Sequence, residues 1–274
     1  MSYPDSKQLK VAAIQMVSGP CLQANLQIAA YWIQQAAEAG AQVVALPEYF
    51  CFLGNSLEQK YALVESFGAG TIQHFLSAQA SSHGIYLIGG TLALACAEPQ
   101  RFYNSTLVYG PSGRCIGRYD KIHLFSFQRG TESYDEAQTI QAGVAQPSVV
   151  HIADLRMGLG ICYDLRFPEL FRAMGAVDLI VLPAAFTYTT GQAHWEVLLK
   201  ARAIENQCYV LAPAQGGVHE NGRRTWGHSM LIDPWGEQID CLATGAGYVS
   251  GIIDKKRLTA VRTDLPALRQ RRFI

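Results

Sequence analysis

The chain repeats its own plan, and that repetition restricts the folds open to it more than any single residue does. In the first half, an apolar run over residues 11–16 is followed by residues 22–39. There Leu22, Leu26, Ala29, Ala30, Ile33 and Ala37 recur at helical spacing, and Gly40 suits a helix C′ position. Residues 43–46 form a continuous apolar strand that stops at Pro47 and Glu48. A second helix is predicted over 71–83, a strand over 85–89, and a hairpin over 106–119 turning at Gly110-Pro111-Ser112-Gly113. The second half runs the same course: strand 157–161, strand 178–182 ending at Pro183, helix 193–206, strand 208–212, then a hairpin over 227–242 turning at Asp233-Pro234-Trp235-Gly236. Ile85 and Cys208, at corresponding strand starts, stand the same interval apart as Pro111 and Pro234 in the two turns. Two similar halves without a flexible linker predict one sheet from each, stacked face to face with helices outside. The expected fold is α/β, a four-layer α-β-β-α sandwich in a single domain spanning residues 1–274.

Composition bounds the function. Lys+Arg and Asp+Glu both number 22, so the chain lacks the basic excess that a nucleic-acid partner would require. Hydrophobic residues at 49% against 16% charged describe a large packed core, yet no apolar run is long enough for a membrane span. Residues 1–9 are polar and carry no visible secretory signal. Seven cysteines (Cys21, Cys51, Cys96, Cys115, Cys162, Cys208, Cys241) contain no Cys-x-x-Cys, which removes a zinc knuckle and a dithiol redox motif. Free thiols of this kind fit the reducing cytoplasm.

Chemistry is expected where strands end. The segment 157–161 reads as a buried strand with interleaved glycines, against which other backbone packs closely, and it stops at Cys162, with Pro168 suited to the first turn of a helix. A thiol at the carboxyl end of such a strand sits where open α/β sheets bind ligands, and a helix start or a nearby ammonium would favour its thiolate. The other reading is a small hydrophobe closing the strand. Glu48, on the lip of a second strand, is costly to bury unless paired and is a candidate proton acceptor; otherwise it is a salt-bridged strand end. Lys121 ends a strand amid aromatics, positioned either as a solvated cation or as a partner for a thiol and an oxyanion. Residues 126–146 read as a long polar loop, functional or mobile, carrying Glu132, Asp135 and Glu136. Arg166 follows the cysteine, poised to grip a carboxylate or to pair internally with Asp164 or Glu169. His194 is the base that a Cys–His thiol hydrolase would use, or a structural residue at a helix start. The basic cluster Lys255, Lys256, Arg257, Arg262, Arg269, Arg271 and Arg272 reads as a solvated face.

Three segments carry a resemblance. Leu46-Pro47-Glu48-Tyr49, Arg118-Tyr119-Asp120-Lys121-Ile122-His123-Leu124 and Gly160-Ile161-Cys162-Tyr163-Asp164-Leu165-Arg166-Phe167-Pro168-Glu169 resemble the catalytic motifs of the nitrilase superfamily of carbon–nitrogen hydrolases, in that family's order and across essentially the whole chain. The resemblance implies the same sandwich, with Glu48 as general base, Lys121 as oxyanion stabiliser and Cys162 as nucleophile. It also implies the backbone N–H of Tyr163 as oxyanion donor and Glu136 as a second glutamate that positions the lysine, with Glu132 the alternative in the same loop. The implied chemistry is covalent, through a thioester, and uses no metal or organic cofactor. Cys162-Tyr163-Asp164 resembles the amidase side of the superfamily, since true nitrilases usually carry Cys-Trp-Glu. The stretch from Thr190 to Val210 and the run Gly227-His228-Ser229-Met230 resemble the branch holding deaminated-glutathione amidases and ω-amidases. The implied substrate is therefore a small-molecule amide of a 2-oxo dicarboxylic acid, deaminated glutathione preferred over 2-oxoglutaramate, with an N-carbamoyl amino acid as a further alternative. Arg166 fits the carboxylate of such a substrate. By the same analogy the chain is expected to form a homodimer through its tail and the helix around 193–206. A non-catalytic binding scaffold is the reading left if no turnover exists.

Overall fold

A computed structural model describes residues 8–98, 100–130 and 132–273. Residues 1–7, on which most of the reading of the N-terminus rests, lie outside the described residues. In chain order the first half holds β1 (Gln8–Gln15), α1 (Leu22–Glu38), β2 (Val43–Ala45), α2 (Leu57–Ala62), α3 (Thr71–His83), β3 (Tyr86–Ile88), β4 (Leu92–Ala95), β5 (Phe102–Tyr109) and β6 (Cys115–Asp120). A small hairpin, β7 (Ser126–Arg129) and β8 (Glu132–Asp135), comes next. The second half holds β9 (Ser148–Ile152), β10 (Leu155–Leu159), α4 (Pro168–Ala173), β11 (Leu179–Val181), α5 (Tyr188–Asn206) and β12 (Tyr209–Ala212). The ribbon β13 (Gly216–Val218) and β14 (Arg224–Trp226) then leads to β15 (Ser229–Ile232), β16 (Gln238–Leu242), β17 (Gly247–Asp254) and α6 (Lys255–Asp264).

The strands are apolar at consecutive positions because each is buried on both faces. Val11 and Ala13 of β1 and Val43 and Ala45 of β2 share one core with Met157, Leu159, Leu179 and Val181 of the opposite sheet. The alternate residues Ala12, Ile14 and Val44 instead pack with Leu26, Ala29 and Ile33 of α1 and with Leu76 and Ala80 of α3. On the other outer face α5 buries Trp195, Leu199 and Ala203. The layers are therefore α-β-β-α, as the duplication predicted. The interleaved glycines of β10 have a different cause from the one expected. A Cβ on Gly158 would stand 2.5 Å from the Met174 sulfur, and one on Gly160 would stand 2.9 Å from Leu182 Cδ1 and 3.3 Å from the Phe171 ring. Side chains from around α4 and from the end of β11, not another backbone, occupy that space.

Further expectations are corrected. The halves do not each keep their own strands: the first sheet runs β17-β1-β2-β3-β5-β4 with β6 on β5, while the second runs β16-β15-β12-β11-β10-β9. β17 leaves the second half and pairs antiparallel with β1 from Gln8↔Asp254 to Gln15↔Gly247. Strand exchange of this kind depends on long-range register, which no local pattern records. Residues 126–146 are also not a plain loop, since β7 pairs with β8 and a 3₁₀ turn covers Glu136–Gln138. The helix expected over 193–206 starts earlier, at Tyr188. The basic cluster is partly consumed in holding α6 down, through Lys255 to Asp154 at 2.7 Å, Arg257 to Asp233 at 2.8 Å and Arg262 to Asp178 at 3.0 Å.

The turn after β3 fixes the end of β2. Gly90 has φ +54°, and a Cβ there would stand 2.2 Å from the carbonyl oxygen of Pro47. Gly90→Ala is expected to destabilise the protein by about 2 kcal/mol, through overpacking and a left-handed backbone that alanine resists. Urea unfolding measures it; an unchanged midpoint would mean that the Pro47–Gly90 approach relaxes freely.

Candidate active site

Strand ends from both sheets deliver the candidate residues to one rim. β2 ends just before Leu46, Pro47 and Glu48, β6 ends directly before Lys121, and β10 ends at Leu159, with Gly160 and Ile161 leading on to Cys162. Glu48 is 1% exposed and Lys121 is 0% exposed, so neither charge is held by solvent. The Lys121 ammonium donates to Glu48 Oε1 at 3.0 Å and reaches Glu136 Oε1 at 3.0 Å and Oε2 at 2.7 Å. Glu48 has two further donors. Oε1 accepts from Asn104 Nδ2 at 2.9 Å, and Oε2 accepts from the backbone N–H of Ala185, beyond β11, at 2.9 Å. One carboxylate thus bonds to both halves of the molecule.

Glu136, not Glu132, is the glutamate on the lysine. It also accepts from the Tyr49 hydroxyl at 2.9 Å and from the Phe125 N–H at 2.7 Å. Glu132 accepts instead from Thr189 Oγ1 at 3.0 Å. Glu132 opens β8 and Glu136 directly follows it, so one short strand sets the two glutamates apart.

Cys162, Glu48, Glu136, Tyr163 and Arg166 line a single narrow pocket with about 10 Å³ free, together with Phe125 and Phe186. Cys162 has φ +48° and its N–H donates to Pro183 O at 2.9 Å, so the strand end turns sharply and presents the sulfur to the pocket. Such a conformation in a non-glycine residue is strained and persists only when its surroundings hold it. The Tyr163 N–H lies in the first turn of the 3₁₀ helix Cys162–Arg166, where helical N–H groups have no carbonyl partner of their own.

Asp164, which sequence reasoning gave no role beyond pairing, holds that turn. It is 0% exposed, and its Oδ2 accepts from Ile161 N–H at 2.8 Å and from the Tyr119 hydroxyl at 2.7 Å. Its Oδ1 meets His123 N–H at 3.1 Å and His123 Nδ1 at 2.7 Å. One buried carboxylate therefore couples the cysteine turn to the segment carrying Lys121. The aspartate was visible beside the cysteine, but its partners lie on another strand.

A nearby ammonium was expected to favour the thiolate, and Lys121 acts in that direction. Burial and the adjacent Glu48 charge instead push the Cys162 thiol well above its usual range, and Lys121 only partly opposes them. The resting sulfur is protonated. Burial alone would discharge Lys121, but Glu136 and Glu48 outweigh it and hold the ammonium well above its usual range. Burial likewise works against the Glu136 charge, yet Lys121 prevails and draws this carboxyl below its usual range.

Arg166 forms neither internal ion pair. Among the described residues no acidic side chain reaches it; Nη1 lies 3.2 Å from His194 Nδ1, and the guanidinium covers Tyr163 and Phe186 at 5.8 and 5.5 Å. His194 is exposed and is not among the residues lining the cysteine pocket. Arg223, from the loop before β14, enters the same pocket and was not singled out in the sequence.

Comparison with known proteins gives the same family throughout. The profile described as Carbon-nitrogen hydrolase matches residues 10–263. A protein named deaminated glutathione amidase from Synechocystis sp. (strain PCC 6803 / GT-S) is 41% identical, over 98% of this chain and 100% of its own. Omega-amidase NIT2-B from Xenopus laevis is 37% identical, over 97% of this chain and 95% of its own. Among solved structures, Saccharomyces cerevisiae Nit3, described as a member of branch 10 of the nitrilase superfamily, superposes with a TM-score of 0.86 at 29% identity, covering 99% of both chains.

The Lys121–Glu136 pair makes a pH-dependent prediction. A carboxyl whose folded pKa is depressed stabilises the protein fully above its ordinary value of 4.5, and that contribution is lost as pH falls through the lowered value. Glu136→Gln is expected to cost on the order of 3 kcal/mol at neutral pH, the loss of one partner from a buried pair. The gap to the parent should narrow in acid. Urea unfolding across a pH series measures it, and a gap independent of pH would mean that Glu136 is not ionised in the folded protein.

Proposed function

The chain belongs to the carbon–nitrogen hydrolase family, and on that premise we propose that it hydrolyses the amide of a 2-oxo dicarboxylic acid through a thioester on Cys162. It is a hydrolase of amide C–N bonds. The observation that carries the proposal is a buried ammonium clamped by two carboxylates, both of which share one pocket with a conformationally strained cysteine.

Glu48 takes the proton from Cys162 Sγ as the sulfur attacks the amide carbonyl carbon. The resulting oxyanion is held by the Lys121 ammonium and the Tyr163 N–H. As the C–N bond breaks, Glu48 returns its proton to the departing nitrogen, which leaves as ammonia from a primary amide or as an amine from a substituted one. Water then gives its proton to Glu48 and attacks the thioester carbonyl. Collapse of that second intermediate releases the acid, and the sulfur recovers its proton from Glu48. Glu136 fixes the lysine rather than exchanging protons, because its two oxygens are engaged by Lys121, Tyr49 and Phe125.

Arg166 supports a carboxylate-bearing acyl group. It has no acidic partner among the described residues and lies at the pocket wall beside the nucleophile. The names of the relatives support deaminated glutathione first, in which the leaving group is cysteinylglycine, with the ω-amide 2-oxoglutaramate as the alternative. A homodimer is part of the proposal: Val197 and Ile204 on α5 are 61% and 51% exposed, and Trp235 beyond β15 is 51% exposed. The free thiols support a cytoplasmic site of action.

Glu48→Gln is expected to abolish turnover of 2-oxo amides, while His194→Asn retains much of it; the opposite result selects a Cys–His hydrolase. With a slow substrate, mass spectrometry should find the acyl group on Cys162, and its absence during turnover would exclude the covalent route. Arg166→Lys is expected to raise KM about tenfold for carboxylate-bearing amides and less for neutral ones. Equal effects on both would remove the carboxylate grip, and activity on a simple nitrile alone would overturn the amidase assignment.

A further inference from the structure

The sequence offers His194 two roles, proton acceptor or helix-start residue, and its place matches neither. It lies inside α5 rather than at its start, and it is absent from the walls of the cysteine pocket. What it meets is Arg166, whose Nη1 stands 3.2 Å from His194 Nδ1. A guanidinium can only donate, so Nδ1 accepts and the imidazole carries its proton on Nε2. Among the described residues the guanidinium makes no other hydrogen bond. The support behind the histidine is firm. Trp195, the next residue, is fully buried, donates from Nε1 to His228 O at 2.8 Å and packs with its ring centre 4.7 Å from that of Phe186. Phe186 is in turn one of the two rings that the guanidinium covers, at 5.5 Å, with Tyr163 the other at 5.8 Å.

A free arginine side chain samples many rotamers, and a ligand that has to freeze it loses affinity. Ring faces keep a guanidinium from sliding away but leave it free to turn in its own plane. A lone pair facing Nη1 removes that turn. With Nη1 committed to His194, Nε and Nη2 have no protein acceptor among the described residues, and that edge is the fork which takes a carboxylate in two parallel bonds.

We propose that His194 is a positioning residue: by accepting from Arg166 Nη1, it leaves the Nε–Nη2 edge set for the carboxylate on the acyl half of the substrate. The inference rests on the carboxylate grip assigned to Arg166 above and deepens it. His194 then decides which amides are taken and has no part in moving the proton of Cys162. Leucine in its place has no lone pair, whereas asparagine puts Oδ1 close to where Nδ1 stands.

The test compares two amides. One bears the carboxylate: 2-oxoglutaramate or its cysteinylglycine counterpart, whichever the parent protein turns over faster. The other is 4-oxopentanamide, which keeps the ketone and has a methyl group in place of the carboxylate. KM and kcat are read for each, or Ki where 4-oxopentanamide acts only as a competitor. His194→Leu is expected to raise KM for the carboxylate-bearing amide about fivefold, with kcat within about twofold of the parent and a far smaller effect on 4-oxopentanamide. His194→Asn should recover most of that KM. Arg166→Met should separate the two amides more strongly, and adding His194→Leu to it should bring no further loss, because the histidine acts only through the guanidinium. Equal changes on both amides in His194→Leu, a loss confined to kcat, or an additive double variant would overturn the positioning role while the Arg166 grip stands. If Arg166→Met itself treats the two amides alike, the grip falls and the role of His194 falls with it.

Discussion

A lysine ammonium with no access to solvent determines how this rim is built. Removing such a charge from water is expensive by several kcal/mol, and the loss is offset only when neighbouring acids are placed and fully hydrogen-bonded. Lys121 meets that condition with Glu48 on one side and Glu136 on the other. Each acid is then fixed by donors from elsewhere: Asn104 on β5, Ala185 beyond β11, Tyr49 and the Phe125 N–H. Strand ends that are far apart in the chain are therefore drawn to one point by the need to neutralise a single charge.

The same cluster decides the state of the sulfur. Two carboxylates and one ammonium leave a net negative charge beside Cys162, which together with burial keeps the thiol protonated. In the mechanism proposed above, thiolate forms only as Glu48 receives the proton, which confines nucleophilicity to the moment when a carbonyl is present to accept the sulfur. A thiol held this way is also a poor target for oxidants and adventitious electrophiles, which react with thiolate. Asp164 contributes without touching the reaction: by binding Ile161, Tyr119 and His123, it holds the strained turn at Cys162 against the lysine strand.

Much of this was legible in the sequence, for identifiable reasons. Apolar runs that end abruptly at Glu48 and Cys162 mark strand ends, and strand ends in α/β sheets are where polar side chains gather. Lys121 was recognisable from its aromatic surroundings and its motif. Glu136 and Glu132 were not separable, because the choice depends on a hairpin whose strands are short and polar on both faces. The pull of Lys121 on the thiol was legible, but the larger opposing effect of burial and Glu48 was not, because it depends on how the rim is packed. The pairing of β17 with β1 left no local trace, since an edge strand advertises its partner only through register. Arg223 was not singled out, because it reaches the cysteine pocket from a loop that nothing in the local sequence ties to that strand end.

That last strand carries a consequence for biogenesis. Among the described residues β17 follows every other strand in the chain, yet it covers the flank of β1, the first of them. Until it emerges from the ribosome, β1 presents an unpaired, mostly apolar edge of the kind that recruits foreign strands. The nascent chain is therefore exposed to misassociation for nearly the whole of its translation. A truncation that removes β17 would leave the rim residues intact in sequence but turn the open flank into a seed for aggregation.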